Sequence, residues 1–462
     1  MKIPILSGIY ANVQPDFRTS YPLNLVPTPK ATGINEGYLR PGDGIASFGS
    51  GPGVLRGAIN WLGNVYAVMG SKLVSVAING TVTVLGDVGT DTRPVTMDYG
   101  FDRLAITSAG KLFYYDGTLI EVTDPDLGAA EDVVWVDGYY MTTDGTFLVV
   151  TDLSNPLAVN PLKYGSAEAD PDPINALLKL RNEVAALNRH TIEFFDNIGG
   201  DLFPFQRIEG AQIEKGCVGT YACCIYMEAI AFLGSGFNEQ ISVYLGLNGQ
   251  AQKLSTHEID LILAGYSEDI LAETIVETRN EGSHQFLYIH LPDKTLVYDA
   301  GASAELQTPV WFTLTSGDGY RARFFTRAFD KWLCGDPDSS NLGYLVRDVS
   351  THWGAEVSWE FSTQILFNEG RGAIIHELEL TGLTGSVAFG VNPAITTSYS
   401  IDGVTWSQDR TISAGAQGDR AKRLVWAQCG AMQQWRLQRF RGTSDAHVAV
   451  ARLEGRVEPL AW

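Results

Sequence analysis

The stretch HQFLYIHLPDKTLVYDA, His284 to Ala300, decides how the chain is read. Two runs of strand-forming residues, Phe286–His290 and Thr295–Tyr298, meet across Pro292-Asp293-Lys294. Aromatic and branched residues on either side of a Pro-Asp turn predict a short antiparallel hairpin.

The unit recurs. NVYAVMGSKLVSV (64–76), RLAITSAGKLFYYDG (103–117) and GYYMTTDGTFLVVTD (138–152) place apolar strands around Gly70-Ser71-Lys72, Ala109-Gly110-Lys111 and Thr143-Asp144-Gly145. RHTIEFFDNIGG (189–200), EAIAFLGSGFNEQISVYLG (228–246) and KWLCGDPDSSNLGYLVRD (331–348) continue the series. The starts lie roughly 35 to 57 residues apart, close to the spacing of propeller blades but uneven. A lone hairpin cannot bury its own faces, whereas repetition around an axis gives each one neighbours and hides its edges. The expected fold is therefore mainly β, with a distorted β-propeller of six or seven units over residues 55–350. A pair of ordinary β-sandwiches would also repeat hairpins and is the competing architecture.

Two regions depart from this pattern. STHEIDLILAGYSEDILAETIVETR (255–279) opens with Ser255-x-x-Glu258 and restarts at Ser267-Glu268-Asp269, so a short helical insertion is expected over about 255–280. INALLKLRNEVAALNR (174–189) reads equally as a helix or as a loop with an innermost strand. From 351 to 462, seven short strand candidates, among them VSWEFSTQILF, SVAFGV, KRLVWAQC and HVAVARLEGRV, predict a C-terminal β-sandwich. Residues 1–54, proline-rich and containing GYLRPGDGI, read as an extended N-terminal arm joining the first blades.

Composition limits function. The chain has 462 residues, 45% hydrophobic and 19% charged, with 49 glycines and 11% aromatics, as many strands and turns require. A net charge of −20 repels phosphate, so sequence-specific nucleic-acid binding is not expected, although DNA could pass by an acidic wall without being gripped. Cys217–Gly234, the most apolar stretch, is interrupted by Glu228 and too mixed to span a bilayer, and no secretory signal is visible at the N-terminus. The five cysteines form no CxxC and read as buried thiols.

No catalytic, cofactor or metal site is expected. SIDGVTW (400–406) is similar to a sialidase Asp-box but lacks one residue between Asp402 and Gly403, and it occurs once. It reads better as a tight Asp-Gly turn. Asp336 and Asp338 lack the further oxygens that calcium requires. His284 and His290 share a strand face but have no evident third ligand, so ordinary hydrogen-bonded histidines are expected. Two basic-aromatic stretches, YRARFFTR (320–327) and WRLQRFRG (435–442), point instead to an acidic protein partner, through Arg321, Arg323, Arg436, Arg439 and Arg441.

EKGCVGTYACC (214–224), IHLPDKTLVYDA (289–300) and HTIEFFDNIGG (190–200), with YPLNLVPTPK (21–30) and GYLRPGDGI (37–45), resemble the packaged-DNA stabilisation proteins, or tail hubs, of short-tailed bacteriophages. The segments fall in the same order along the chain, and ELEL, SIDGVTW, RLVW and WRLQRFRG follow more weakly. The resemblance implies a structural, non-enzymatic virion protein, assembled in the host cytoplasm and located in the tail. It implies a six-membered ring that links the portal and adaptor rings to a tail needle or plug, with tailspikes as further neighbours. Such a hub would help close the channel, retain packaged DNA and let it pass at ejection. A glycan-directed propeller, either a sialidase-like hydrolase or a receptor-binding module, is the alternative. It would need complete, repeated Asp-boxes or exposed aromatics such as Trp406 and Trp435.

Overall fold

The computed structural model of the chain describes residues 1–11, 17–30, 35–167, 170–443 and 448–460. Among them, seven antiparallel sheets follow one another as propeller blades. Blades 1 to 4 span residues 55–87, 96–121, 132–166 and 174–207, each a four-stranded meander. Blade 5 (216–253) has a split inner edge, and blade 6 spans 275–314. Blade 7 takes three strands from 323–346 and its fourth, Gly44–Ser50, from near the N-terminus.

The hairpin within 284–300 forms the two middle strands of blade 6, His284–His290 and Thr295–Asp299, in register from Phe286 opposite Asp299 to His290 opposite Thr295. Phe286, Leu287, Tyr288 and Ile289 are all buried. Strict alternation is absent because both faces are covered. Leu287, Ile289 and Leu296 pack with blade 5, whereas Phe286, Tyr288 and Val297 pack with Phe312, Tyr320 and Cys334 towards blade 7. A strand covered on both faces reads as a continuous apolar run.

INALLKLRNEVAALNR resolves as strand: Ile174–Leu180 is the inner strand of blade 4 and Glu183–Asn188 the next. The helical insertion lies between blades 5 and 6 as His257–Leu263 and Glu268–Ala272. The first of these corrects the expected capping box. Thr256 is the N-cap, and Ser255 instead donates its hydroxyl to Asp260 at 2.6 Å. A third helix, Ala300–Leu306, was not expected; Asp299 caps it by accepting a bond from the Ala302 amide.

The C-terminal sandwich has one sheet built on Ser358–Ser362, Trp435–Thr443, Ala394–Ser400 and Arg410–Ser413, and a second on Ala373–Leu383, Ala449–Pro459 and Leu424–Ala427. Trp359, Phe361, Trp426 and Phe440 fill the space between them. SVAFGV forms a single bridge at Val387 in place of the expected strand and otherwise runs as a connection. In HVAVARLEGRV, His447 lies outside the described residues, and the strand begins at Ala449.

The arm departs from the expectation in its first part, which packs on the sandwich; Gly44–Ser50 closes blade 7, and the Val54 carbonyl accepts the Gly70 amide of blade 1. Lys2–Ile3 pairs with Leu453 and Glu454, and Leu25–Pro29 with Gly37–Pro41 extends the same sandwich sheet through Leu39 opposite Val450. Ile3, Ile5, Leu25 and Leu39 enter the sandwich core. Residues 12–16 and 31–34 of the arm lie outside the described residues. Between these sandwich strands and the propeller, Pro22–Asn24 bridges the two modules. Leu23 exchanges backbone bonds with Glu360 of the sandwich, while the Asn24 amide donates to Thr313 of blade 6. The Asn24 side chain donates to the Ser358 carbonyl at 2.7 Å and accepts from the Thr315 amide at 2.9 Å. These bonds satisfy amides and carbonyls that burial between the modules would otherwise leave without partners.

Candidate functional site

The arginines expected to face a partner separate into different environments. Arg436 is buried in the sandwich, which corrects its assignment as a surface contact. Its guanidinium lies 3.7 Å from the centroid of the Tyr399 ring and donates to the Cys429 carbonyl at 2.6 Å and to Gln438 Oε1 at 2.8 Å. Burial pulls its pKa down to about 10, still ionised at neutral pH. Arg439 is stacked on the Trp406 ring at 4.0 Å, and Arg441 holds Asp409 by two contacts of 2.6 and 2.7 Å. Arg321 grips the buried Asp336 carboxylate from blade 7. Arg323 opens into the propeller axis.

These environments predict different costs. Arg436→Met should lower stability by about 2–3 kcal/mol in urea unfolding, because the Cys429 carbonyl and Gln438 lose charged donors in a closed interior. Arg441→Ala, at a half-exposed pair, should stay within about 1 kcal/mol of wild type.

The axis is the second candidate region. The inner strands of neighbouring blades are tied by carboxylates that sequence reading did not single out. Asp98 of blade 2 accepts the Trp135 amide of blade 3 at 2.6 Å. Asp132 of blade 3 accepts the Leu177 amide of blade 4 at 2.7 Å. Glu277 of blade 6 accepts the Phe324 and Phe325 amides of blade 7, the second at 2.6 Å, while also bonding His290 at 2.7 Å. Inner strands carry no further ladder partner on their axial edge, so side-chain acceptors satisfy their free amides. The only sequence signal for this role was an acid placed within or beside an apolar run, which turn acids share.

Burial pushes the Asp132 carboxyl up to about 7 despite its amide donors. Because the folded value lies above the unfolded value of about 3.9, its contribution is full below that pH and is lost as pH rises through about 7. Wild-type stability should therefore fall between pH 5 and pH 8 by more than that of Asp132→Asn, which cannot ionise. Urea midpoints at the two pH values check this.

The axial space divides into two cavities, of about 430 and about 810 Å³. Tyr221 lines both, and its hydroxyl donates to the Pro94 carbonyl at 2.8 Å, joining blade 5 to the segment entering blade 2.

The remaining candidates have structural partners. His284 bonds Asp299 at 2.5 Å, and His290 bonds Thr295 and Glu277, so both are hydrogen-bonded histidines as expected. Asp336 is held by Arg321 and Ser339, and Asp402 accepts the Val404 and Thr405 amides in a turn. Four cysteines are buried and Cys224 is partly so, all as free thiols. Among the described residues, no group of three His, Cys, Asp or Glu is placed to hold a metal, and no helix is long and apolar enough to cross a membrane.

Comparison with known proteins places both modules. Residues 1–350 match the family described as bacteriophage P22 Gp10, beta-propeller, and residues 358–458 match its companion, bacteriophage P22 Gp10, beta-sandwich. The chain is 28% identical over 460 residues to the tail hub protein gp10 of Salmonella phage P22, covering 94% of each. Two solved structures align at lower identity. The PorZ component of the type-IX secretion system of Porphyromonas gingivalis aligns with a TM-score of 0.41 at 14% identity, over 80% of this chain and 46% of its own. The Pan2 WD40 domain of Neurospora crassa aligns with a TM-score of 0.42 at 9% identity, over 65% and 95%. With the propeller and the sandwich each matched in order and nearly end to end, the chain belongs to the bacteriophage P22 Gp10 family.

Proposed function

We propose that the protein is a structural tail hub of a short-tailed phage virion, which joins the portal and adaptor rings to the tail needle or plug. The observation that carries this reading is the match to a tail hub protein across 94% of both chains, which includes the propeller, the sandwich and the arm between them. The architecture supports it. A propeller and a sandwich pinned together by one arm form a stiff body, and stiffness is what a coupling between unlike rings requires.

In this reading six copies form a closed ring through head-to-tail contacts, with tailspikes as further neighbours. The genome runs through the lumen of the ring. The propeller axis is ill suited to that task, because Tyr221 bridges it and its cavities hold only a few hundred Å³. A net charge of −20 allows DNA to slide past without phosphate grip. The glycan-directed alternative loses support because Trp406, one of its two candidate platforms, already has a ring face stacked by Arg439.

Particles assembled without the protein test the reading. Heads should fill and then leak, with DNase-protected full-length genome reduced at least about tenfold. Heads that keep their DNA but fail to adsorb would favour the glycan-directed role.

A further inference from the structure

The wider axial cavity contains a cation whose Nε lacks a partner. Arg323 begins the inner strand of blade 7, Arg323–Ala328, where the pairing with the next strand is interrupted by a bulge between Arg323 and Thr326. Phe324 within the bulge adopts φ +61°, a left-handed conformation that a bulky side chain rarely accepts. Glu277 holds the bulge in place through the amides of Phe324 and Phe325.

The bulge aims Arg323 into the cavity, where its Nε is buried without a hydrogen-bond partner. The acids that act on it are committed elsewhere: Glu277 to His290 at 2.7 Å and Asp338 to Arg321 at 3.6 Å. The other two arginines of the cavity are satisfied. Arg56 donates to the Arg93 and Gly70 carbonyls and to Ser108, and Arg93 pairs with Asp91 and Glu131. A buried Nε–H without an acceptor is costly, and bulges and strained residues cluster where a side chain is re-aimed for binding.

We propose that this mouth of the propeller axis binds an acidic peptide segment of a neighbouring protein, an aspartate or glutamate carboxylate pairing with Arg323 while flanking apolar residues lie on Leu55, Ile275 and Phe324. The size, about 810 Å³, is that of a ligand cavity. Its walls mix apolar side chains with charged ones, and of its three arginines Arg56 and Arg93 are held by carbonyls, Ser108, Asp91 and Glu131, which leaves Arg323 as the one with an open donor. One open guanidinium donor beside Leu55, Ile275 and Phe324 fits a single carboxylate on a peptide better than a phosphate chain. The planar guanidinium matches a carboxylate through two parallel bonds. The proposal does not depend on the hub assignment, because it rests on the cavity alone.

Calorimetric titration of the full chain tests it, with acetyl-Leu-Asp-Leu-amide, its Asn counterpart and inorganic phosphate as probes. The Asp peptide should bind saturably, and the Asn peptide and phosphate at least about tenfold more weakly. Arg323→Gln should lose the difference between the Asp and Asn peptides while melting no lower than wild type, since it removes a buried Nε–H that lacks an acceptor. Arg323→Lys, which keeps the charge but not the fork, should retain weakened binding and serves if the Gln variant does not fold. Equal binding of phosphate, no saturable binding by the Asp peptide, unchanged Asp-peptide selectivity in both variants, or a lowered melting point in both would each overturn the proposal.

Discussion

Removing residues 1–50 should leave a chain that neither closes its propeller nor retains a stable sandwich. The segment supplies Gly44–Ser50, which pairs with Asn341–Val346 as the fourth strand of blade 7. Without it, that blade presents an open edge, the feature that invites association with other chains. The same deletion takes Ile3, Ile5, Leu25 and Leu39 out of the sandwich core. Each buried side chain of this kind contributes about 1.5–3 kcal/mol, so the four together rival the whole net stability of a typical domain, about 5–15 kcal/mol. The Pro22–Asn24 bridge is lost as well, which frees the two modules from each other. The expected result is aggregation on expression, or a soluble fraction that limited proteolysis cuts between the modules. A soluble truncated chain with the wild-type unfolding midpoint would contradict this account.

The second large effect is expected at Asp43. This carboxylate is buried between Arg40 of the arm and Arg279 of the inner strand of blade 6, with Arg40 Nη1 at 2.8 Å and Arg279 Nη2 in direct contact. Arg279 also donates to the Tyr288 hydroxyl at 3.0 Å and pairs with Glu281 at 3.0 Å. Burial alone would raise the Asp43 pKa, but the two arginines override it and hold the carboxyl well below the usual range. Asp43→Asn preserves shape and removes the charge, which leaves two closely placed arginines sharing the single carboxylate of Glu281. The expected cost is about 3–5 kcal/mol, as when one partner of a buried pair is removed.

The pH dependence follows from the depressed pKa. The Asp43 contribution is present above the unfolded value of about 3.9 and is lost only as pH falls through the lower folded value. Wild type and Asp43→Asn should therefore differ fully at pH 7 and converge only in strong acid. Adding Arg279→Met to Asp43→Asn should recover part of the loss, because it removes a stranded charge. Urea unfolding of the four proteins of this cycle provides the measurement. A loss below about 1 kcal/mol for Asp43→Asn would show that the network does not hold the arm.

Much of this architecture could be read locally. His284–His290 and Thr295–Asp299 announce a hairpin by their own side chains and by Pro292-Asp293-Lys294, whatever surrounds them. The same holds for Lys111 and Leu112 after the Ala109-Gly110 turn, where both turn residues take positive φ. Ile174–Leu180 was ambiguous because a strand covered on both faces has no period-two signature to separate it from a buried helix. The unexpected helix Ala300–Leu306 is short and depends on its Asp299 cap more than on any apolar stripe.

The site was less legible. Five arginines in two basic-aromatic stretches look alike in sequence, yet Arg436 lies inside the sandwich on Tyr399, Arg441 rests on Asp409, and Arg323 turns into the axis. Arg436, Arg439 and Arg441 lie in one strand, Trp435–Thr443, where a charge on either face can be buried if an aromatic ring and carbonyls receive it.

The hairpins, their repetition, the helical insertion and the changed strand pattern of the sandwich are written into the local sequence. These depend on residues within a turn or two of one another, where propensity and turn chemistry act. Which strand closes the ring, where the arm runs and which charges face solvent follow from long-range packing. Tyr344 meets Ala46 and Leu39 meets Val450 across hundreds of residues, and such pairings are selected by the cores they complete rather than by any local pattern.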